Sequence, residues 1–276
     1  MERCATILLT FLFICGSAIS APSQAPVKPR ISSTLFVSNS GGWKPLQKGI
    51  EFRKLALERS EPSHSIDLKL IRFDPQWIAP RILRSAQFQL KGADVKTLAE
   101  RSRALATINA NYFDTDGRPL AFLKTGGQAN NPRVSKSALY TGVFGVKDQR
   151  PFISHRDDFM PEHADEAAQA GPLLLLRGSA HAVTGVPMRA SRRALVGIDR
   201  DQKLIIAVTD NLIGGLHWAE LQEIFSAPRW QIQTPDLLSL DGGGSAQLYL
   251  KAGKFEEFIP GTSEVPVAIG FFMKGQ

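Results

Sequence analysis

Hydrophobic and polar residues alternate with a period of two along many short segments, which is typical of β-strands with one buried face. Ile66, Leu68 and Leu70, for example, alternate with charged residues. Alternation and short apolar runs predict further strands at 50–52, 55–57, 105–109, 120–124, 139–146, 172–176, 194–198, 203–209, 237–240, 247–250 and 267–272. The short polar connection 199–202 predicts that the two strands flanking it form a hairpin.

Helical periodicity appears in two segments of the chain. In the first, Val95 and Leu98 fall on one face, and Asp94 is placed to cap the amino terminus. In the second, Trp218 and Leu221 begin an apolar stripe that continues for another turn. Both segments therefore predict short amphipathic helices.

Strands outnumber helices and follow one another in runs, which favours an α+β fold. We expect a single domain with a large curved sheet, mixed or antiparallel, and a few packed helices. Residues 126–137 predict a long polar loop, and the acidic, alanine-rich residues 161–170 predict an exposed helix or insertion.

The first 20 residues have the pattern of a secretory signal peptide. Arg3 precedes a short apolar run, and Ala18 and Ser20 place small side chains before a cleavage point. Residues 21–48 are rich in Pro, Ser and Gly and predict a flexible leader, so the folded domain is expected at 49–276. The sequence thus predicts a periplasmic or secreted protein.

The only cysteines, Cys4 and Cys15, lie inside this predicted signal. The mature chain would therefore have no disulfide, thiolate nucleophile or cysteine zinc site. We expect no stable membrane anchor after cleavage, although lipidation at Cys15 and a retained anchor are alternatives.

The charge balance indicates anionic ligands without choosing among them. Lys and Arg number 33 against 26 Asp and Glu, a formal net charge of +7. The basic residues form no recognisable nucleic-acid module, so no nucleic-acid partner is expected. The five histidines lack the spacing of metal ligands, so we expect no metal or cofactor. A divalent cation such as calcium, bound by Asp210 and Asp241, stays an open alternative.

The string Asp241-Gly242-Gly243-Gly244-Ser245 follows an apolar strand and is the most distinctive in the chain. Successive glycines can expose backbone N–H groups that bind an anion. A carboxylate beside such a group suits a substrate that carries both a reacting carbon and a phosphate. A glycine-rich turn is the structural alternative.

A second string ends a predicted strand with Asn109, Asn111 and Tyr112. The two amides are two residues apart and would face one side of a continued strand. Amides can orient sugar hydroxyls, and a tyrosine ring can stack on a sugar. An Asx turn at the end of the strand is the alternative.

Titratable residues around the second predicted helix form a third group: Asp210, His217 and Glu220. Glu220 lies at the border of the apolar stripe, where partial burial would raise its pKa and suit it to acid–base chemistry. Lys124 and Arg193, each at the end of a predicted strand, are candidate phosphate ligands. The structural alternatives are a core or helix-capping histidine and solvent-exposed charges.

Taken in order, these strings resemble the phosphodiester glycosidase family. That family includes a lysosomal enzyme that removes N-acetylglucosamine from a phosphodiester, and bacterial exported proteins associated with exopolysaccharide biosynthesis. The resemblance covers roughly residues 57–272. The strings that carry it are 108–113, 171–174, 193–197, 208–210, 220–221 and 240–245.

The resemblance implies a hydrolase that breaks the C–O bond of a sugar 1-phosphodiester or a related phosphorylated glycan. Asp241 would be the carboxylate near the anomeric carbon, with Glu220 and Asp210 as further acid–base candidates. The substrate ligands would be Asn109, Asn111, Tyr112, Lys124, Arg193, His217, Gly242, Gly243, Gly244 and Ser245.

Two positions depart from the family pattern, which usually has Gly-Gly after the first asparagine and an asparagine near the carboxyl terminus. This chain has Ala110-Asn111 and Ala268 there. The departures motivate an alternative function, a non-catalytic periplasmic glycan-binding protein. A phosphodiesterase that breaks the P–O bond is a third hypothesis.

Overall fold

The structure is a computed structural model and describes residue 1, residues 31–211 and residues 213–275. In the described part of the chain, strands predominate and two short α-helices pack on them. The helices are α1 (Val95–Ser102) and α2 (Trp218–Ser226). The predicted signal peptide and the first ten residues of the predicted leader fall almost entirely outside the described residues.

The strands form three sheets in which every recorded strand pair is antiparallel. In chain order they are β1 (Leu35–Ser40), β2 (Lys44–Gln47), β3 (Ile50–Ser60), β4 (Ser63–Phe73), β5 (Ile78–Arg84), β6 (Ala106–Asn109), β7 (Leu123–Thr125), β8 (Gln128–Asn131), β9 (Gly142–Lys147), β10 (Arg150–His155), β11 (Glu166–Ala170), β12 (Leu173–Leu176), β13 (Ser179–Ala180), β14 (Ala194–Ile198), β15 (Leu204–Asp210), β16 (Asp236–Ser239), β17 (Leu248–Ala252), β18 (Phe255–Ile259) and β19 (Val267–Met273).

A nine-stranded sheet has the order β1-β3-β4-β15-β14-β16-β12-β13, with β2 also paired to β3. One five-stranded sheet has the order β10-β9-β11-β7-β8, and the other β18-β17-β6-β19-β5. The main apolar core contains residues from all three sheets, including Val196, Ile108 and Phe144, each completely buried. The three sheets therefore share one interior, and their strand ends are brought close together.

Each helix covers a different sheet. Helix α1 begins at the Asp94 cap, whose side chain accepts a hydrogen bond from the Thr97 N–H, as predicted. It packs on β6 and β17. Helix α2 buries Trp218 and Leu221 in a second core on the outer face of the nine-stranded sheet. Within the described residues, no helix is both long and apolar enough to cross a membrane.

These observations confirm the predicted fold class, and they confirm the hairpin, because β14 pairs with β15 across residues 199–203. The sheet begins earlier than the expected boundary at residue 49. β1 and β2 lie in the predicted leader, and Leu35 and Val37 are buried there. The expectation of an exposed helix or insertion at 161–170 was wrong for its second half, because β11 is a largely buried strand between β9 and β7. Only Pro161–His163 form a short 3₁₀-helix with no buried residue. The alanine-rich composition is typical of a helix and gave no sign of β11, which is buried because β9 and β7 pair with it on both sides.

Candidate functional site

Strand ends from different sheets meet around Asp241. The residue lies two positions beyond β16, and its N–H donates to the carbonyl oxygen of Ala110, just beyond β6, at 2.9 Å. The Asn109 side chain also holds this turn, since its Nδ2 donates to the Asp241 carbonyl oxygen at 2.7 Å. The nine-stranded sheet is thereby joined to a five-stranded sheet at the acid's own backbone.

The Asp241 carboxylate is partly buried and has local hydrogen-bond donors. The Gly242 N–H and the Ser245 hydroxyl both donate to it, which lowers its pKa. Desolvation by burial is the larger effect and raises the pKa of Asp241 to about 6. A carboxyl with a pKa near neutral pH can exchange protons under physiological conditions, which is what acid–base catalysis requires.

The three glycines serve chain packing more than anion binding. A Cβ at Gly242 would lie 2.9 Å from the Arg192 carbonyl oxygen, and one at Gly244 would lie 2.6 Å from Thr262 Oγ1. Gly243 has φ 59°, in the left-handed region that favours glycine. Its N–H donates to the Arg192 carbonyl oxygen. The expected anion-binding role of Gly242 and Gly243 is therefore corrected, because their N–H groups already have acceptors in the protein.

Two tyrosines flank the acid. The hydroxyl of Tyr112 donates to the Gly171 carbonyl oxygen at 2.9 Å, and burial, reinforced by the Asp241 charge, raises its pKa. The ring of Tyr140 lies with its centroid 5.1 Å from that of Tyr112. Burial raises the pKa of Tyr140, and the Asp241 charge adds to the effect. The structure thus brings the predicted Tyr112 to the acid.

Tyr140 was missed by sequence reasoning. It comes just before β9, within a segment predicted only as a strand, and β9 belongs to the five-stranded sheet that does not contain β6. No local pattern distinguishes it from a core aromatic residue. Only the convergence of the sheets places it beside Asp241.

Adjacent arginines supply positive charge at the start of β14. The Arg193 guanidinium lies 3.3 Å over the Trp218 ring, and its Nε and Nη2 donate to the carbonyl oxygens of Leu216 and Arg189. Burial lowers the pKa of Arg193 to about 10, and the neighbouring Arg189 charge acts in the same direction. Arg192 Nη2 donates to the Ala246 and Pro260 carbonyl oxygens.

Glu220 has a structural position instead of the expected catalytic one. Its carboxylate pairs with Arg59 at 2.7 Å, and both side chains are 5% exposed. It also accepts the His217 N–H at the start of α2. Burial raises the pKa of Glu220, but the hydrogen bonds from Arg59 and His217 outweigh this effect and hold it below its usual value. The amphipathic pattern located Glu220 at the border correctly but gave no sign of Arg59.

His217 and Lys124 likewise have structural partners. His217 caps α2, and its Nδ1 lies 2.7 Å from the Met188 carbonyl oxygen. Lys124 lies on β7 and donates to the carbonyl oxygens of Pro161 and Ala164. Both residues therefore bind backbone oxygens that the fold supplies, and their expected substrate contacts stay predictions.

The two amides at and just beyond the end of β6 face the protein interior. Asn109 is fully buried, and its Oδ1 accepts the Gln247 N–H while its Nδ2 holds Asp241. The structure corrects its expected role from sugar binding to positioning of the acid. Asn111 is 2% exposed and donates to the Tyr112 carbonyl oxygen.

Asp210 pairs with Lys69 at 2.8 Å, and Lys69 also binds Glu257. Asp210 was expected to act on the substrate as an acid or base. In the structure its carboxylate instead has a protein partner, Lys69. Among the described residues, no group of three or more His, Cys, Asp or Glu side chains is arranged to hold a metal ion. The calcium alternative through Asp210 and Asp241 stays a prediction.

The departures from the family pattern lie at the backbone that positions the acid. Ala110 is 1% exposed and packs in the main core, while its carbonyl oxygen accepts the Asp241 N–H. Ala268 is fully buried on β19, paired with Asn109. Neither methyl group is part of the acid's immediate polar surroundings.

The sequence model described as "Phosphodiester glycosidase" matches residues 102–272, which include Asp241, both tyrosines and Arg193. No functionally curated protein matches the chain. Among solved structures, a hypothetical protein from Synechocystis is similar with TM-score 0.66 and 15% identity, over 86% of this chain. The chain spans 65% of that protein's length.

The catalytic domain of zebrafish N-acetylglucosamine-1-phosphodiester alpha-N-acetylglucosaminidase, auto-inhibited by its pro-peptide, is similar with TM-score 0.60 and 16% identity. The match covers 86% of each chain. At these identities the two structures share the fold with this chain.

Proposed function

Because the chain belongs to the phosphodiester glycosidase family, we propose that it hydrolyses the C–O bond of a sugar 1-phosphodiester with Asp241 as the reacting carboxylate. The observation that carries the proposal is the partly desolvated Asp241, whose pKa is raised to about 6, beside two tyrosines at the meeting point of the sheets. The name of the similar zebrafish enzyme suggests an N-acetylglucosamine 1-phosphodiester as the first substrate to test.

In this reaction water attacks the anomeric carbon as the C–O bond breaks, and the bonding electrons leave with a phosphate monoester. The leaving group is weakly basic, so strong protonation of its oxygen is unnecessary. The ionised Asp241 stabilises positive charge at the anomeric carbon and accepts the proton of the attacking water. The tyrosines would form the walls around the sugar. Tyr112 is held in place by the hydrogen bond from its hydroxyl to the Gly171 carbonyl oxygen.

The phosphate would bind at the start of β14. Nε and Nη2 of Arg193 already donate to backbone carbonyl oxygens, and we assign the remaining Nη1 to a phosphate oxygen. Arg189, close enough to Arg193 to depress its pKa, adds positive charge. A guanidinium fixed by backbone acceptors loses little conformational entropy when it binds a phosphate.

Export belongs to the same proposal and is supported by the signal-peptide pattern of residues 1–20. Amino-terminal sequencing of the protein recovered from the periplasm or culture medium tests it. A chain that begins at Ala21 would support export, and an intact Met1 in the cytoplasm would contradict it.

The bond that breaks can be identified with N-acetylglucosamine 1-(methyl phosphate) in water enriched in oxygen-18. Phosphorus NMR of the released methyl phosphate is the readout, because a free sugar slowly exchanges its anomeric oxygen with water. We expect unlabelled methyl phosphate. Labelled methyl phosphate would assign P–O cleavage, and binding without release would favour the glycan-binding alternative.

Replacing Arg193 with lysine should raise the KM for this diester about tenfold or more and change kcat less. Lysine keeps the charge but cannot hold two backbone oxygens and a phosphate in one plane. Steady-state kinetics on the purified variant measure the effect. Arg200→Lys, in the exposed β14–β15 turn, is the control and should behave like the wild type. An unchanged KM in Arg193→Lys would remove Arg193 from the site.

A further inference from the structure

The side chain of Gln247, which lies just before β17, is fully buried and has a hydrogen-bond partner at each end of its amide. Its Oε1 accepts a hydrogen bond from the N–H of Val95, the first residue of α1, at 2.9 Å. Its Nε2 donates to the carbonyl oxygen of Ser263 at 2.9 Å and to that of Ser245 at 3.4 Å. Since this set of partners requires both an acceptor and a donor, it fixes the orientation of the amide.

These bonds connect Gln247 to a loop that closes over the glycine string. The N–H groups of Thr262 and Ser263 donate to the Gly244 carbonyl oxygen at 2.8 and 3.2 Å. A Cβ at Gly261 would lie 2.6 Å from that same oxygen and 2.8 Å from Gln247 Nε2, so the close approach requires glycine there. Gln247 therefore holds both the string and the loop that packs on it.

The backbone of Gln247 reaches the acid by a second route. Its N–H donates to Asn109 Oδ1 at 3.1 Å, and Asn109 Nδ2 donates to the Asp241 carbonyl oxygen at 2.7 Å. The Ser245 hydroxyl, on a residue whose carbonyl oxygen Gln247 binds, donates to the Asp241 carboxylate. Gln247 is thus linked to the backbone of the acid through Asn109 and to its carboxylate through Ser245.

We propose that Gln247 is a positioning residue, which holds Ser245 where its hydroxyl donates to the Asp241 carboxylate. Gln247 acts through Ser245 and touches no reacting atom. Loss of the Ser245 hydrogen bond removes a donor from the ionised carboxylate and so raises the pKa of Asp241 further. The effect on turnover rests on the proposed function, whereas the arrangement at the carboxylate is independent of catalysis.

The other titratable groups around the acid have different supports. Tyr112 and Tyr140 both respond to the Asp241 charge. The Tyr112 hydroxyl donates to the Gly171 carbonyl oxygen, and the Tyr140 carbonyl oxygen accepts Gln169 Nε2. Substitution of Gln247 therefore leaves these bonds in place and acts on the acid through Ser245.

The test replaces Gln247 with methionine, which has nearly the same length and no amide. Carbon-13 NMR of protein labelled at the aspartate side-chain carboxyl carbon measures the pKa of Asp241. We expect it to rise from about 6 to about 7, because one hydrogen bond to an ionised carboxylate is worth about one pH unit. Ser245→Ala should raise it by a similar amount, and the double variant should raise it no further than Ser245→Ala alone.

The kinetic effect of Gln247→Met should depend on pH. With N-acetylglucosamine 1-(methyl phosphate) we expect kcat/KM to fall about fivefold at pH 6, where fewer Asp241 side chains are then ionised, and little above pH 8. A general loss of structure would instead lower kcat/KM by the same factor at both pH values, and that result would overturn the proposal.

Two further variants complete the experiment. Gln222 lies on α2, is half-buried, and donates through Nε2 to the carbonyl oxygens of Leu174 and His181. Gln222→Met therefore removes comparable backbone contacts elsewhere and should leave the pKa of Asp241 at about 6. Gly261→Ala disturbs the Gln247 contacts from the loop side and should raise the pKa. It decides the question if Gln247→Met does not fold.

An Asp241 that titrates as in wild type in both Gln247→Met and Gly261→Ala, or that shifts equally in Gln222→Met, would overturn the positioning role. These NMR results do not depend on turnover. If the pKa shifts as expected and no variant or wild-type protein cleaves the diester, the proposed function fails and the positioning role stands. If the diester is cleaved and the pKa does not move, the opposite holds.

Discussion

Replacing Asp241 with asparagine is expected to lower turnover by about a thousandfold or more while making the protein more stable at neutral pH. The loss of rate follows from the role of the carboxylate, since acid–base catalysis contributes roughly 10²–10⁴-fold. The gain in stability follows from the raised pKa of about 6. Asparagine keeps an oxygen for Gly242 and Ser245 but carries no charge to desolvate.

The pH dependence of this gain has a definite sign. The folded protein binds the Asp241 proton more tightly than the unfolded chain, whose aspartates titrate near 3.9. The stabilisation from protonation is complete below that value and is lost as the pH rises through about 6. A pKa raised by about two units corresponds to a difference of about 3 kcal/mol in the free energy of unfolding. Asp241→Asn should therefore unfold at higher denaturant concentration at pH 8 and show little difference at pH 4.

Asp210→Asn is the control for this experiment. Asp210 is paired with Lys69 and is 42% exposed, so its removal should give no stabilisation at pH 8. Equilibrium denaturation and diester kinetics on the same preparations measure both effects. An Asp241→Asn protein that keeps more than a tenth of the turnover, or that is less stable than wild type at pH 8, contradicts the account.

Replacing Glu220 with glutamine should destabilise the protein by about 3–5 kcal/mol, because it leaves the buried Arg59 guanidinium without its counter-charge. The stabilisation from this pair is present above the usual glutamate pKa and is lost as the pH falls, since the folded pKa is lowered. Activity per folded molecule should be close to wild type at low temperature. Denaturant titration and kinetics at 10 °C measure the two quantities.

The same helix contains a matched control. Glu223 forms an exposed ion pair with Arg229, and pairs of this kind contribute roughly 0–1 kcal/mol. Glu223→Gln should therefore change stability little. If Glu220→Gln is as stable as wild type but inactive, Glu220 acts in catalysis and its structural assignment is wrong.

Local patterns in the sequence predicted local structure well. The Asp94 cap, the β14–β15 hairpin and the apolar stripe of α2 all depend on residues a few positions apart, and all are present. The Asp-Gly-Gly-Gly string drew attention to Asp241, and its catalytic role stays a prediction. In each case the physical cause lies within one turn or one strand pair.

The partners of charged residues could not be predicted in this way. Glu220 meets Arg59 across 161 positions of sequence, and Lys69 meets Glu257 across 188. Sequence reasoning treated unpaired polar side chains as available for substrate, but antiparallel pairing of distant strands supplied most of them with protein partners. Tyr140 was missed for the same reason, since only the packing of three sheets brings it to Asp241.

The central claim is that Asp241 is a desolvated carboxylate that must be ionised for turnover. Carbon-13 NMR of protein labelled at the aspartate side-chain carboxyl carbon, assigned by loss of one signal in Asp241→Asn, measures its pKa directly. The account predicts titration at about 6 and an acid limb of kcat/KM at the same pH. An Asp241 that titrates near 4, with activity unchanged between pH 5 and 7, would contradict it.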